Sequence, residues 1–168
     1  KDKLFMSDLN PAYSIEKIKD SASVNIRLVR NGLHIVPNPN RIFSEEDTVI
    51  FLYGELYNLA YSNENHGTYR TTYIILDEQG AVFRNLGSKQ TDKPGNSTVI
   101  AESFDIKRWP VGLYYLKVVA NDIETGNSDS SLFSFHLISR KALLAAATEK
   151  KLEDPYDTLS LEVKTNLV

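Results

Sequence analysis

The run Trp109-Pro110-Val111-Gly112-Leu113-Tyr114 constrains this chain more than any other. Pro110 and Gly112 make a tight turn, and the turn feeds a strand in which Tyr114, Leu116, Val118 and Ala120 fall on one face. Gly-x-Tyr at the start of such a strand is the sequence form of a tyrosine corner. There the ring packs between two sheets and the hydroxyl bonds backbone a few residues upstream. The adjacent Trp109 is expected to cap the same end of the core, because Pro110 holds its turn rigid.

The same two-residue rhythm runs through most of the chain. Asn25 to Arg30 alternates, Asn31-Gly32 suits a type I′ hairpin turn, and Leu33 to Val36 returns. Thr48 to Leu59 is a long strand with Ile50, Leu52 and Leu56 on its even face and Phe51, Tyr53, Glu55 and Tyr57 on its odd face. Thr68 to Leu76, Ala81 to Leu86, Thr98 to Ile106 and Ser131 to Ile138 complete the pattern. Ser88 to Ser97 reads as loop, Pro11 as a stop, and Ser14 to Lys19 as either one helical turn or an extended connector. Phe43 is the expected anchor of the irregular Pro37–Asn40 region. About seven or eight strands with turn signals every 8–12 residues or so, and no helices between them, predict a sandwich rather than a parallel sheet. The fold class is all-β: an antiparallel immunoglobulin- or fibronectin-III-like β-sandwich with a short N-terminal hairpin extension and a helical C-terminal tail. Residues 1–32 read as extension, 33–138 as the sandwich, and 139–168 as a helical linker.

That linker has its own signals. Leu143, Leu144, Ala146 and Ala147 sit among strong helix formers, and Asp154-Pro155 suits a helix start. Tyr156, Leu159, Val163 and Leu167 then form one apolar stripe, still running where the sequence stops. With Lys1 rather than Met at the start, this leads to the expectation of a piece of a longer protein whose next domain packs on that stripe.

Composition narrows the function classes. The net charge is −3, and Lys and Arg are scattered, so no basic patch marks a nucleic-acid surface. There is no cysteine, hence neither a disulfide framework nor a thiolate metal site. No apolar run approaches the roughly 18 residues of a membrane helix. Gly-x-Ser-x-Gly, His-Glu-x-x-His and phosphate-loop patterns are missing.

Met6-Ser7-Asp8-Leu9, Asn31-Gly32-Leu33, Pro37-Asn38-Pro39-Asn40, Phe51 to Leu59 and Pro110 to Asp122 together resemble the middle region of the bacterial GWxTD-domain proteins, a family of undetermined function. The likeness spans most of residues 6 to 138. The Gly-Trp-x-Thr-Asp motif that names the family does not occur in this chain. The resemblance implies an Ig-like accessory module in an exported protein, periplasmic or extracellular and lipid-anchored through a segment ahead of Lys1. It transfers no catalytic residue.

Candidate sites are few. His34, His66 and His136 show no spacing that argues catalysis or metal binding. Asp77, Glu78, Asp122, Glu124 and Asp129 are oxygen donors of the kind calcium takes, yet their spacing suits solvated turns whose carboxylates bond turn amides. The sharper candidate is the aromatic set: Tyr53, Glu55 and Tyr57 on one strand face, with Tyr69 and Tyr73 sharing a face of another. Turned outward, these contact a partner or a glycan. Turned inward, or covered by flanking segments, they are packing, and a buried Glu55 then needs a partner such as Arg70 or Lys117. The expected function is a non-catalytic structural or protein-interaction module, whose partners are flanking domains or another protein, with a carbohydrate-binding module as the alternative. No catalytic, cofactor or metal residue is assigned.

Overall fold

Alternation of apolar side chains becomes two facing sheets. The computed structural model describes residues 3–18, 25–64, 66–142 and 144–145. Its strands are β1 (Phe5–Met6), β2 (Asn10–Lys17), β3 (Val29–Arg30), β4 (Leu33–Pro37), β5 (Ile42–Ser44), β6 (Val49–Tyr57), β7 (Thr68–Leu76), β8 (Val82–Asp92), β9 (Ser97–Asp105), β10 (Gly112–Asp122) and β11 (Ser128–Ile138).

In the first sheet β6 is central. β9 pairs along one edge of it, from Val49↔Asp105 to Tyr57↔Ser97. β1 and β2 share the other edge in succession, with Met6 opposite Leu56 and Pro11 opposite Leu52. β4 pairs with β2, and β3 with β4. The second sheet runs β5-β11-β10-β7-β8. All pairings are antiparallel except the short β5–β11 contact, which is parallel.

The core lies between the sheets. The even residues of β6, Ile50, Leu52 and Leu56, meet Leu116 and Val118 of β10 and Phe133, Phe135 and Leu137 of β11. Each such side chain contributes about 1.5–3 kcal/mol by leaving water. Phe43 is buried edge-on to Phe135 at 5.9 Å, as its expected anchoring role requires. Tyr114 stacks on Phe135 at 5.6 Å, and its hydroxyl donates to the Pro110 carbonyl at 2.8 Å, completing the tyrosine corner. Trp109 closes that end against Phe83 and Tyr114, with the Arg84 guanidinium 5.3 Å above its ring. A side chain at Gly54, mid-β6, would meet Leu9 Cδ2 at 2.8 Å, so the missing Cβ is what lets Leu9 pack on the sheet.

Several local expectations change. Pro11 does not stop the chain but sits inside β2, near its start, where its missing N–H is tolerated. Ser14 to Lys17 is strand, held by β4. Ile26–Leu28 is a 3-10 turn capped by Asn25, so the first hairpin arm shrinks to the two residues of β3. The hairpin turn itself is as expected, with φ of 48° at Asn31 and 75° at Gly32. β8 continues to Asp92 through a register shift beside Gly87, which leaves only Lys93 to Asn96 of the expected loop. Residues 3–18 are no mere extension: Leu4, Met6 and Leu9 belong to the main core, and Met6 N donates to Asp129 Oδ2 at 2.8 Å, tying β1 to β11. Residues 140–142 and 144–145 are helical, and the remainder of the expected tail lies outside the described residues.

Candidate functional site

After Ala12 the β2 ladder shifts register, β2 leaves β6 and pairs with β4 alone. The β2–β4–β3 ribbon then turns over the outer face of the first sheet. Ala12, Ile15, Leu33 and Ile35 of the ribbon pack on Phe51, Tyr53 and Val99, a second apolar cluster separate from the main core. The odd face of β6 is therefore graded. Tyr53 is 3% exposed beneath the ribbon, Glu55 is half-buried, and Tyr57 is 36% exposed beyond it.

One carboxylate organises this face. The Tyr53 hydroxyl donates to Glu55 Oε1 at 2.5 Å, and the Tyr57 hydroxyl donates to Oε2. At the ribbon tip Asn31 donates through Nδ2 to the Tyr53 oxygen at 2.7 Å and to Glu55 Oε1 at 3.1 Å. Ser7 fixes the backbone beneath: its amide donates to the Glu55 carbonyl, and its hydroxyl accepts from the Glu55 amide, both at 2.9 Å. The hydrogen bonds from Tyr53 and Tyr57 hold the Glu55 carboxyl below its usual range. Burial first, then the bond to Glu55, pushes the Tyr53 phenol up to about 12. The bond to Glu55 also raises Tyr57. Glu55 is thus an ionised acceptor engaged by neighbours, and the two phenols hold their protons at neutral pH. Such a cluster fixes ring positions.

Beside this network lies an open cleft of about 530 Å³, lined by Tyr53, Glu55, Tyr57 and Ile35. Arg27, Arg30 and Asp8 also line it. Among the described residues neither arginine comes within ion-pair distance of a carboxylate, though the Arg30 charge helps lower Glu55. Phe5 is 54% exposed and lies opposite Tyr57 in the β1–β6 ladder, with ring centroids 6.1 Å apart and planes inclined by 28°.

The other sequence candidates fall elsewhere. Tyr69 and Tyr73 share a face as expected, but it is the inner face of β7, where both are buried in the main core. They do not join Tyr53 and Tyr57. Arg70 pairs with Gln90 on the second sheet, and Lys117 lies on β10, so neither serves Glu55; its hydrogen-bond partners are the two tyrosines and Asn31, and the cation acting on it is Arg30. Asp77 accepts the Gln79 and Ala81 amides in its turn. Asp122 and Glu124 flank Lys93, whose ammonium stands 2.9 and 2.6 Å from them. His34, His66 and His136 lie on β4, in the loop before β7 and on β11, and His66 stacks on Tyr61. No group of three metal-ligating side chains occurs among the described residues.

Sequence reasoning missed Phe5, Arg27, Arg30, Asp8 and Asn31 as members of one site. Their only shared signal is the long-range register that brings β1 and the β3–β4 turn beside β6.

No family model matches this chain, and no curated protein matches it. Among solved structures it is similar to a Bacteroides uniformis β-glucuronidase at 18% identity and a TM-score of 0.40, over 55% of this chain and 11% of that one. It is likewise similar to a calcium-binding mutant of Bacteroides uniformis β-glucuronidase 2 (17% identity, TM-score 0.38, 55% and 12% covered). A third is β-glucuronidase 2 of the same organism, covalently bound to a cyclophellitol-carboxylate aziridine (13% identity, TM-score 0.36, 63% and 16% covered). The chain spans well under a fifth of each of those proteins, and likenesses at these scores assign it neither a family nor an activity.

Proposed function

We propose that this chain is a non-catalytic structural or protein-interaction module, an Ig-like sandwich within an exported bacterial multidomain protein of the GWxTD kind. Its working surface is the outer face of the first sheet. The observation that carries this reading is the closed network around Glu55: a carboxylate that accepts from Tyr53, Tyr57 and Asn31 is spent on holding a surface in shape. The residues of the resemblance support the exported setting, and the tyrosine corner supports the Ig-like form. Fold alone does not fix function, so the reading rests on this face.

The exposed Phe5–Tyr57 pair favours a second reading, carbohydrate binding. The first reading is tested by assaying the chain, alone and within its longer parent, against chromogenic glycosides and esters. No turnover that depends on Glu55 is expected. Turnover abolished by Glu55→Gln overturns the non-catalytic reading.

A further inference from the structure

Taking the outer face of the first sheet as the working surface, we infer that the Phe5–Tyr57 ring pair and the adjoining cleft bind a neutral saccharide. One sugar ring stacks on the pair and turns its hydroxyls toward Arg27, Arg30 and Asp8.

Four observations converge. Both rings are exposed, with centroids 6.1 Å apart and planes inclined by 28°, and Tyr57 also lines the cleft, so an apolar ring face borders it. An apolar ring face of this kind matches the C–H face of a pyranose, which carries little charge and no strong donor. That face is already in place. Tyr57 is fixed through its hydroxyl to Glu55, Glu55 through Tyr53 and Asn31, and the strand beneath through Ser7 and β9. Little ordering remains to oppose binding. The polar lining supplies the complementary chemistry. Arg27 and Arg30 present planar donor forks with no carboxylate within ion-pair distance among the described residues, the Arg30 charge acting on Glu55 from further off, and the Asp8 carboxylate is exposed. Adjacent sugar hydroxyls both donate and accept, so they satisfy such a pair of groups together. Finally, the formal charges lining the cleft cancel, Arg27 and Arg30 against Asp8 and Glu55. That balance disfavours a phosphate, a polyanion or a strongly charged peptide and suits a neutral, hydroxyl-rich ligand. The volume of about 530 Å³ lies within the range of small-molecule clefts.

The test is titration of the whole chain with maltohexaose, cellohexaose and xylohexaose at millimolar concentration, followed by its amide NMR spectrum. Oligogalacturonate and a decaproline peptide are the competing arms. At least one neutral saccharide is expected to shift the amides of Ser7, Glu55 and Tyr57. Phe5→Ala and Tyr57→Ala each weaken that binding about tenfold. Tyr57→Phe, which keeps the ring, stays within about threefold of the parent. Both aromatics are surface residues, and an unchanged spectrum of the core amides shows that a variant has folded. Absence of shifts with all three neutral sugars, shifts insensitive to Tyr57→Ala, or a response to oligogalacturonate or decaproline alone overturns the saccharide proposal. None of these outcomes touches the non-catalytic reading, which fails only on Glu55-dependent turnover.

Discussion

Lys93 and Asp122 form a buried ion pair: Nζ stands 2.9 Å from Oδ1, and the two side chains are 0% and 1% exposed. Lys93 also donates to the Ala60 carbonyl at 2.8 Å and to Glu124 Oε2 at 2.6 Å. Asp122 accepts the Ala60 amide at 2.8 Å and the Thr125 amide at 3.1 Å. One cation thus ties the β8–β9 turn, the segment before β7 and the β10–β11 turn at one end of the sandwich. Its ammonium has all three protons engaged, which is what permits burial of a lysine. Lys93→Met leaves Asp122 and Glu124 without their cation. Urea unfolding is expected to show a loss of about 3 kcal/mol.

The same cluster gives stability a pH profile. Burial pushes Asp122 up, but its hydrogen bonds from Lys93, Ala60 and Thr125 prevail and leave it below its ordinary range; the bond from Lys93 lowers Glu124 as well. Burial pulls Lys93 down, and its bonds to the two carboxylates overcome this and raise it. Depressed carboxylates stabilise the fold above their unfolded pKa of about 4, and this is lost as pH falls through the lower folded values. A raised lysine stabilises it below about 10.5, and this is lost as pH rises further. Denaturation midpoints should therefore be flat near neutrality and fall on both sides. In Lys93→Met the acid limb becomes shallower, because each carboxylate loses its largest lowering cause while the amide bonds to Asp122 and Glu124 remain.

The tyrosine corner predicts a smaller effect. Tyr114→Phe removes one hydrogen bond to a carbonyl at an exposed turn, where water replaces the donor. A loss of about 1 kcal/mol in unfolding free energy is expected, with the core packing of the ring retained.

Gly54 tests the packing of the N-terminal segment. In Gly54→Val the added side chain collides with Leu9, whose own side chain is buried, so the β1–β2 connection must move away from β6. A destabilisation of about 1–3 kcal/mol follows from overpacking. Amide exchange at Ser7 should rise with it, because its bond to the Glu55 carbonyl depends on that approach.

Glu55→Gln isolates the electrostatics of the outer face. Loss of the charged acceptor returns the Tyr57 phenol toward its ordinary value near 10, since the bond to Glu55 is the first cause of its rise. Tyr53 falls less, because burial is the larger cause there. Ultraviolet difference titration in alkali measures both.

What the sequence made legible follows the range of the interactions. The Pro110–Tyr114 corner, the Asn31-Gly32 turn and the phase of β6 are local, set by turn chemistry and a period of two, and each holds in the structure. The alternation also placed Tyr53, Glu55 and Tyr57 on one face. It did not reveal that the β2–β4 ribbon covers Tyr53 and stops short of Tyr57, because a ladder shift after Ala12 has no local signature. The burial of Tyr69 and Tyr73 depends on which face of β7 meets the first sheet, which periodicity leaves open. Lys93 sits in a Lys-Pro-Gly turn that reads as solvent-exposed. Only the spatial approach of Asp122 and Glu124 explains its burial.

The account turns on a graded face of β6, with Tyr53 sealed beneath the ribbon and the Phe5–Tyr57 pair open for contact. Hydroxyl-radical footprinting of the native chain, read residue by residue, addresses this directly. The expected result is rapid modification of Phe5 and Tyr57 with Tyr53 as protected as Tyr114. Tyr53 reacting as fast as Tyr57, or Phe5 and Tyr57 both protected, would contradict it.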